Sequence, residues 1–300
     1  MKSIRTERRN GTNRCHAVTI QDRALLVYLP PSYSSGDRHY PVAYVQDGGG
    51  LIDDCANYLE LLFREGKLPE LILVGVATQN RNDEYTPWPA PALLAGRPDF
   101  GGAARSYLNE LADTVKPYID QHYRTQPASG HTGVIGASLG GMVSMLAGYW
   151  RPDVFGRIGM LSASLWYEGV MDFIREQAPP TEGMRIYMSV GGSEGVYKTN
   201  VQRNMVSFSR ETHRLWLEKG FPPHRLRFDV EEGGTHDPLF MARRFPEALR
   251  FLFGGSGASG EGALRPARRE DGLREGRRAS RPQAANRQAI GVPGGRYRED

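Results

Sequence analysis

The chain has 300 residues, 39% of them hydrophobic, which suits one large α/β domain, permits two, and allows a sizeable buried core. Its net charge of +4 belongs to the C-terminal segment: residues 254–300 hold ten arginines against six acidic residues, so the body before them is close to neutral and gives no case for nucleic-acid binding. The cysteines, Cys15 and Cys55, make no metal-type cluster, and residues 1–13 are charged and lack the apolar segment of a signal peptide, so the expectation is a cytoplasmic protein without a membrane partner.

Two strands, over 18–20 and 24–29, are predicted around a turn at Gln21-Asp22, and Pro30-Pro31 ends the second. A strand over 41–45 runs into Asp47-Gly48-Gly49-Gly50. Successive glycines there either let backbone N–H groups approach a ligand or make a flexible turn. A helix follows over 53–63, with Asp53 or Asp54 as its cap, Tyr58, Leu59 and Leu62 on one face, and Cys55 as a small core residue. The unbroken apolar run 71–77 predicts a parallel strand covered on both faces. Residues 78–104, rich in Pro, Gly and aromatics, are long for a connection, and such loops are often functional. Leu108, Leu111, Val115, Tyr118 and Ile119 recur at helical spacing and predict a helix over 106–123.

Residues 131–142 read as a buried strand, a tight turn and a helix start, and the turn is Gly-x-Ser-x-Gly with Ser138 at its tip. Gly136 and Gly140 leave room where strand passes sharply into helix. Leu139 supplies an N–H at the helix start, where the dipole and free donors favour an oxyanion. The pentapeptide alone is weak evidence; the apolar run before it and the helical pattern of Met142, Met145, Leu146 and Tyr149 strengthen it. Further strands are predicted over 157–161, 185–190 and 226–230, with helices inside 162–180, over 200–219, and up to Phe253. This alternation argues for a mostly parallel central sheet with helices on both faces. The predicted organisation is an N-terminal extension over 1–14, a catalytic domain over 15–253, and a disordered Arg/Gly-rich tail over 254–300.

A serine hydroxyl needs a base to take its proton, usually a histidine oriented by a carboxylate. Of the seven histidines, His236 alone sits in a Gly-rich loop after the last predicted strand, on the sheet edge that carries the elbow. The acid should lie between Ser138 and His236. Glu194, in the Gly-rich turn after residue 190, is favoured, and Asp237 is the runner-up.

The ordered series Val27-Tyr28-Leu29-Pro30-Pro31-Ser32-Tyr33, Tyr40-Pro41-Val42, Asp47-Gly48, Gly136-Ala137-Ser138-Leu139-Gly140-Gly141 and Gly233-Gly234-Thr235-His236 resembles the Putative esterase family of α/β-hydrolases. The likeness spans roughly residues 17–253. Asn80-Arg81-Asn82-Asp83-Glu84-Tyr85-Thr86-Pro87-Trp88 resembles the corresponding loop of esterases that open enterobactin- and bacillibactin-type trilactones. The resemblance implies a serine esterase that hydrolyses ferric catecholate siderophore trilactones in the cytoplasm and so frees iron. It implies a triad of Ser138, Glu194 and His236, with an oxyanion hole from the N–H of Leu139 and one from Gly48 or Gly49.

A ferric tris-catecholate is a large trianion, so Arg81 is a sensible clamp and Tyr85 and Trp88 offer flat apolar surface for catechol rings. Otherwise Arg81 pairs with Glu84 and Trp88 packs under a lid. No cofactor or metal is expected in the enzyme, the iron being part of the substrate, and the expected partner is a small-molecule ester. The rival readings are a generic carboxylesterase or an acyl-sugar, feruloyl or thioester hydrolase on the same machinery. An acyltransferase, a binding protein with a dead site and an RNA-associated protein acting through its tail stand further off.

Overall fold

A computed structural model describes residues 14–180 and 183–254. The predicted N-terminal extension apart from Arg14, and the predicted tail apart from Gly254, lie outside the described residues. Strands β1 (Cys15–Ile20) and β2 (Arg23–Tyr28) form a hairpin around Gln21-Asp22. Then come β3 (Val42–Val45), α1 (Gly50–Arg64) and β4 (Ile72–Val76). The long connection after β4 is folded: it holds a short helix, α2 (Arg81–Glu84), and two paired two-residue strands, β5 (Pro89–Ala90) and β6 (Phe100–Gly101). The helix predicted over 106–123 runs over 104–122 as α3 (Ala104–Glu110), a wide π turn at Leu111–Val115, and α4 (Lys116–His122). The remainder alternates: β7 (Thr132–Ala137), α5 (Leu139–Trp150), β8 (Arg157–Leu161), α6 (Val170–Glu176), β9 (Arg185–Gly191), α7 (Met205–Glu218), β10 (Leu226–Glu231) and α8 (Pro238–Phe253).

The main sheet has the order β1-β2-β4-β3-β7-β8-β9-β10. Only the β1–β2 and β2–β4 pairings are antiparallel; β4, β3, β7, β8, β9 and β10 run parallel. Side chains alternate across this sheet, as period-2 geometry requires. Val42 and Tyr44 of β3 join the core beneath α3, α4, α5 and α7, whereas Ala43 and Val45 join the core beneath α1 and α8. Every residue of β3 and β4 is buried, which is why their sequences are apolar without alternation.

Helix α1 departs from the sequence reading at its start. It begins at Gly50, after a left-handed Gly49 (φ 84°) that occupies the cap, so Asp53 sits inside the first turn and neither Asp53 nor Asp54 is the cap. The buried face is Ile52, Cys55, Leu59, Leu62 and Phe63; Tyr58, half-exposed, points away from it.

The connection from β4 to α3 is fastened by Arg23, a buried side chain on β2. Its guanidinium donates to both Glu84 oxygens (2.8 and 3.0 Å), to both Glu110 oxygens (2.6 and 2.9 Å) and to Ala77 O (2.9 Å). Burial works to lower the arginine pKa, but the hydrogen bonds it donates to Glu110 and Glu84 more than reverse it, and the net shift is upward. A buried charge is tolerable only when paired this fully.

One close approach links the fold to its upper edge. A Cβ on Gly75 of β4 would lie 2.4 Å from Gly48 O and 2.7 Å from Gly49 Cα. Both obstacles are backbone and cannot swing aside. Gly75→Ala is therefore expected to destabilise by about 1–3 kcal/mol through overpacking. A thermal melt checks this: the midpoint should fall, and an unchanged one would show that the Asp47–Gly49 turn yields without cost.

Candidate active site

Ser138 occupies the turn between β7 and α5 with φ 57° and ψ −121°, a conformation that costs a non-glycine residue about 1–3 kcal/mol. The surroundings hold it there. Its N–H donates to Leu161 O at 2.9 Å, and its carbonyl accepts from Met142 N–H (3.1 Å) and Ser164 N–H (3.0 Å). Gly136 is a steric necessity, since a Cβ there would lie 2.5 Å from the Gly140 carbonyl carbon, and Gly140 is tight, with a Cβ there 3.1 Å from Gln46 Cβ.

The bend aims the Ser138 hydroxyl at His236 in the loop between β10 and α8. Ser138 Oγ lies 3.1 Å from His236 Nε2, and His236 Nδ1 lies 2.7 Å from Glu194 Oε2. A carboxylate only accepts, so Nδ1 carries the hydrogen and Nε2 is left to accept from Ser138. Glu194 follows β9, and its side chain is fully buried. Its second oxygen, Oε1, accepts from Ser162 Oγ (2.6 Å) and from Gly191 N–H (2.7 Å), which fixes the carboxylate plane. Asp237 is not on His236: it precedes α8 at the cap position and accepts from the Thr235 hydroxyl. Glu194 is thus the carboxylate that the structure brings to the histidine. Such a chain can move a proton from serine to imidazole and stabilise the resulting cation.

The opposite wall is the turn after β3. Asp47, Gly48 and Gly49 all have positive φ (58°, 69° and 84°). Gly49 N–H, one of the two expected oxyanion donors, donates to Gln46 O at 3.2 Å within the turn. Leu139, the first residue of α5, has no intrahelical acceptor for its N–H.

The strained Asp47 is tied from the connection after β4. Its N–H donates to the Tyr85 hydroxyl at 2.9 Å. Its carboxylate takes two hydrogen bonds from Arg81, Nε to Oδ1 at 2.7 Å and Nη2 to Oδ2 at 3.1 Å, and Nη2 also reaches Ala137 O at 3.4 Å. These ties revise the expected substrate contacts. Tyr85 is fully buried, edge-on to Tyr107, and offers no face to a ligand; burial first, then the Asp47 charge, pushes its hydroxyl pKa up. Arg81 pairs with Asp47 rather than Glu84, which belongs to Arg23, and stays 37% exposed. Trp88 is half-buried; its indole N–H donates to Glu168 O at 2.8 Å and its ring packs against Tyr167 and Phe173.

Two residues that no motif singles out, Ser162 and Ser164, touch Glu194 and Ser138 respectively. Their signal was position: they follow β8, on the edge that already carried every other candidate. Among the described residues no group of three or more His, Cys, Asp or Glu is placed to hold a metal ion, and no helix is long and apolar enough to cross a membrane.

A serine elbow at the carboxyl edge of a sheet in this strand order is the architecture of the α/β-hydrolases, and the chain is an enzyme of that class acting on esters. Residues 17–252 match the family model described as Putative esterase, and the chain belongs to that family. It is 38% identical over 233 residues to the uncharacterized protein YbbA of Bacillus subtilis, covering 78% of this chain and 93% of that one. Its fold is similar to that of an IroE-like serine hydrolase from Shewanella oneidensis (TM-score 0.67, 21% identity, 80% of each chain). It is also similar to the enterobactin esterase FES from Shigella flexneri, solved in the presence of enterobactin (TM-score 0.63, 16% identity, 79% of this chain and 57% of that one).

The Arg81–Asp47 pair carries a prediction. Displacing a catalytic wall by about 1 Å can cost on the order of a hundredfold, and a partly exposed brace should matter less. Arg81→Ala and Asp47→Ala are each expected to slow hydrolysis of a small neutral aryl ester roughly tenfold, with the double variant no worse than either single. Kinetics on all three variants check this, and additive losses would show that the two side chains act separately.

Proposed function

We propose that this esterase hydrolyses its substrates through a Ser138–His236–Glu194 triad. The observation that carries the reading is the unbroken hydrogen-bond chain from Ser138 Oγ through His236 to a buried Glu194. Glu194 fixes the tautomer, so Nε2 accepts the Ser138 proton while Oγ attacks the ester carbonyl. The electron pair of the carbonyl moves onto its oxygen, which meets the N–H groups of Leu139 and Gly48. Nε2 then gives its proton to the leaving alkoxide, and water repeats the sequence on the acyl-enzyme. Nucleophile, base and acid all come from the chain, and the reading calls for no cofactor.

For the substrate we propose a ferric catecholate siderophore trilactone. Three things support this: the likeness of residues 80–88 to the loop of trilactone esterases, the fold shared with the enterobactin esterase FES, and Arg81 at the mouth of the site. Arg81 would meet the anionic ligand with the face that Asp47 leaves free, and Trp88 would supply aromatic surface.

Ser138→Ala is expected to abolish turnover and labelling by a serine-reactive phosphonate while leaving the melting temperature nearly unchanged. His236→Ala should behave alike, and Glu194→Ala should cost less, because the acid orients and stabilises rather than transfers a proton. A hydrolysis panel of ferric trilactones, aryl esters and thioesters tests the substrate. Cleavage of the trilactone to its linear ester supports the proposal; turnover of aryl esters without it would make this a general carboxylesterase.

A further inference from the structure

Four described non-glycine residues have positive φ, and one of them, Gln21, lies in the hairpin turn between β1 and β2. The other three, Asp47, Ser138 and Ser162, follow the ends of β3, β7 and β8, which are neighbours in the sheet. Asp47 begins the glycine turn, Ser138 presents the elbow hydroxyl, and Ser162 (φ 48°) opens a turn whose hydroxyl holds Glu194 and whose second serine has so far no task. A strained conformation persists only where its surroundings over-determine it.

The segment Ser162-Ala163-Ser164 is fastened to the site by its backbone. Ser162 N–H donates to Ser189 O at 2.8 Å, and Ser164 N–H donates to Ser138 O at 3.0 Å. Its two buried hydroxyls then reach opposite ends of the hydrogen-bond chain. Ser162 Oγ donates to Glu194 Oε1 at 2.6 Å, and Ser164 Oγ lies 3.1 Å from Ser138 Oγ. Proton accounting fixes the direction of the second contact. With Nδ1–H given to Glu194, the single Ser138 hydrogen goes to Nε2, so toward Ser164 the Ser138 oxygen can only accept.

We propose that Ser164 is a further catalytic residue, which donates a hydrogen bond to the nucleophilic oxygen, and that Ser162 of the same turn is the positioning residue for Glu194. This rests on the triad reading given above. On attack, the bond from Oγ to the acyl carbon forms, the Oγ proton passes to Nε2, and the carbonyl π pair moves to the carbonyl oxygen. Charge that gathers on Oγ as its proton leaves is met by the Ser164 O–H. The pair on the carbonyl oxygen then re-forms the C=O as the bond to the leaving alkoxide breaks, and Nε2 gives that alkoxide its proton. In deacylation, water adds to the acyl carbon and yields a proton to the freed Nε2. The bond from Oγ to carbon then breaks with its pair returning to Oγ, again beside the Ser164 donor, and Nε2 returns the proton. A hydrogen bond to a charged oxygen is stronger than one to a neutral oxygen, so this contact tightens toward the transition state and acts on kcat.

The test compares wild type with Ser164→Ala, Ser164→Cys (nearly the same shape, a poorer donor), Ser162→Ala and Ser162→Gly. Turnover of p-nitrophenyl acetate and the rate of labelling by a fluorophosphonate are measured, with a thermal melt on each variant. Both Ser164 variants should lose roughly ten- to a hundredfold in kcat and in labelling rate, with KM within about twofold of wild type. Ser162→Ala and Ser162→Gly should each lower kcat roughly tenfold; glycine relieves the positive φ, so a loss it shares with alanine belongs to the missing hydroxyl. If wild type is labelled at Ser138 and the Ser164 variants react at the same rate, the proposal is overturned. If rate losses follow only the melting temperature, the turn is structural and the proposal is likewise overturned. Failure of wild type to be labelled at Ser138 would strike the triad reading itself.

Discussion

The site depends on a backbone held where side chains disfavour it. At Ser138 the chain must leave a parallel strand and enter a helix within one residue, which places φ at 57°. That bend lifts the hydroxyl off the sheet and leaves the first helical N–H, that of Leu139, beside it. It is possible only because Gly136 and Gly140 have no Cβ and can pass at contact distance. The cost is local, and the buried parallel strands on both sides carry it: β3 and β8 hydrogen-bond to β7 along its length.

The same device recurs on both neighbours. Beyond β3 the chain turns through Asp47, Gly48 and Gly49 with positive φ, and beyond β8 it turns through Ser162. Adjacent strands thus each end in a strained corner, and the corners face a common edge. Strain gathered there, and not spread through the sheet, is what a pre-arranged reaction centre requires, since groups already in place need not reorganise as charge develops.

Each corner is secured from a distance. Arg23 on β2 holds Glu84 and so fixes the connection that bears Arg81 and Tyr85; these in turn hold Asp47. Glu194 is held by Ser162 from the end of β8 and by Gly191 N–H from its own strand. The connection after β4 is therefore less a lid than a strut. Two residues read as ligand contacts, Tyr85 and Arg81, face inward toward the turn after β3 for that reason, Tyr85 entirely and Arg81 through its Asp47 pair.

The alternating strands and helices, the elbow with Ser138 at its tip, and the loops that carry Glu194 and His236 to one sheet edge are all written in the order of residues along the chain. These are legible because they follow from local rules: apolar runs for strands buried on both faces, 3.6-residue periodicity for helices, and glycines where backbones must cross closely. Tertiary structure alone decided which carboxylate meets the histidine, since Glu194 and Asp237 are equally acidic in sequence and differ only in where β9 and α8 carry them. It decided that Gly49 N–H turns back to Gln46, and that Arg81 serves Asp47 while Glu84 serves Arg23. It also decided that Ser162 and Ser164 stand beside Glu194 and Ser138, contacts that span 32 and 26 residues of chain. Hydrogen bonds between groups so far apart in sequence are set by the order in which strands assemble, and no local pattern of residues encodes that order.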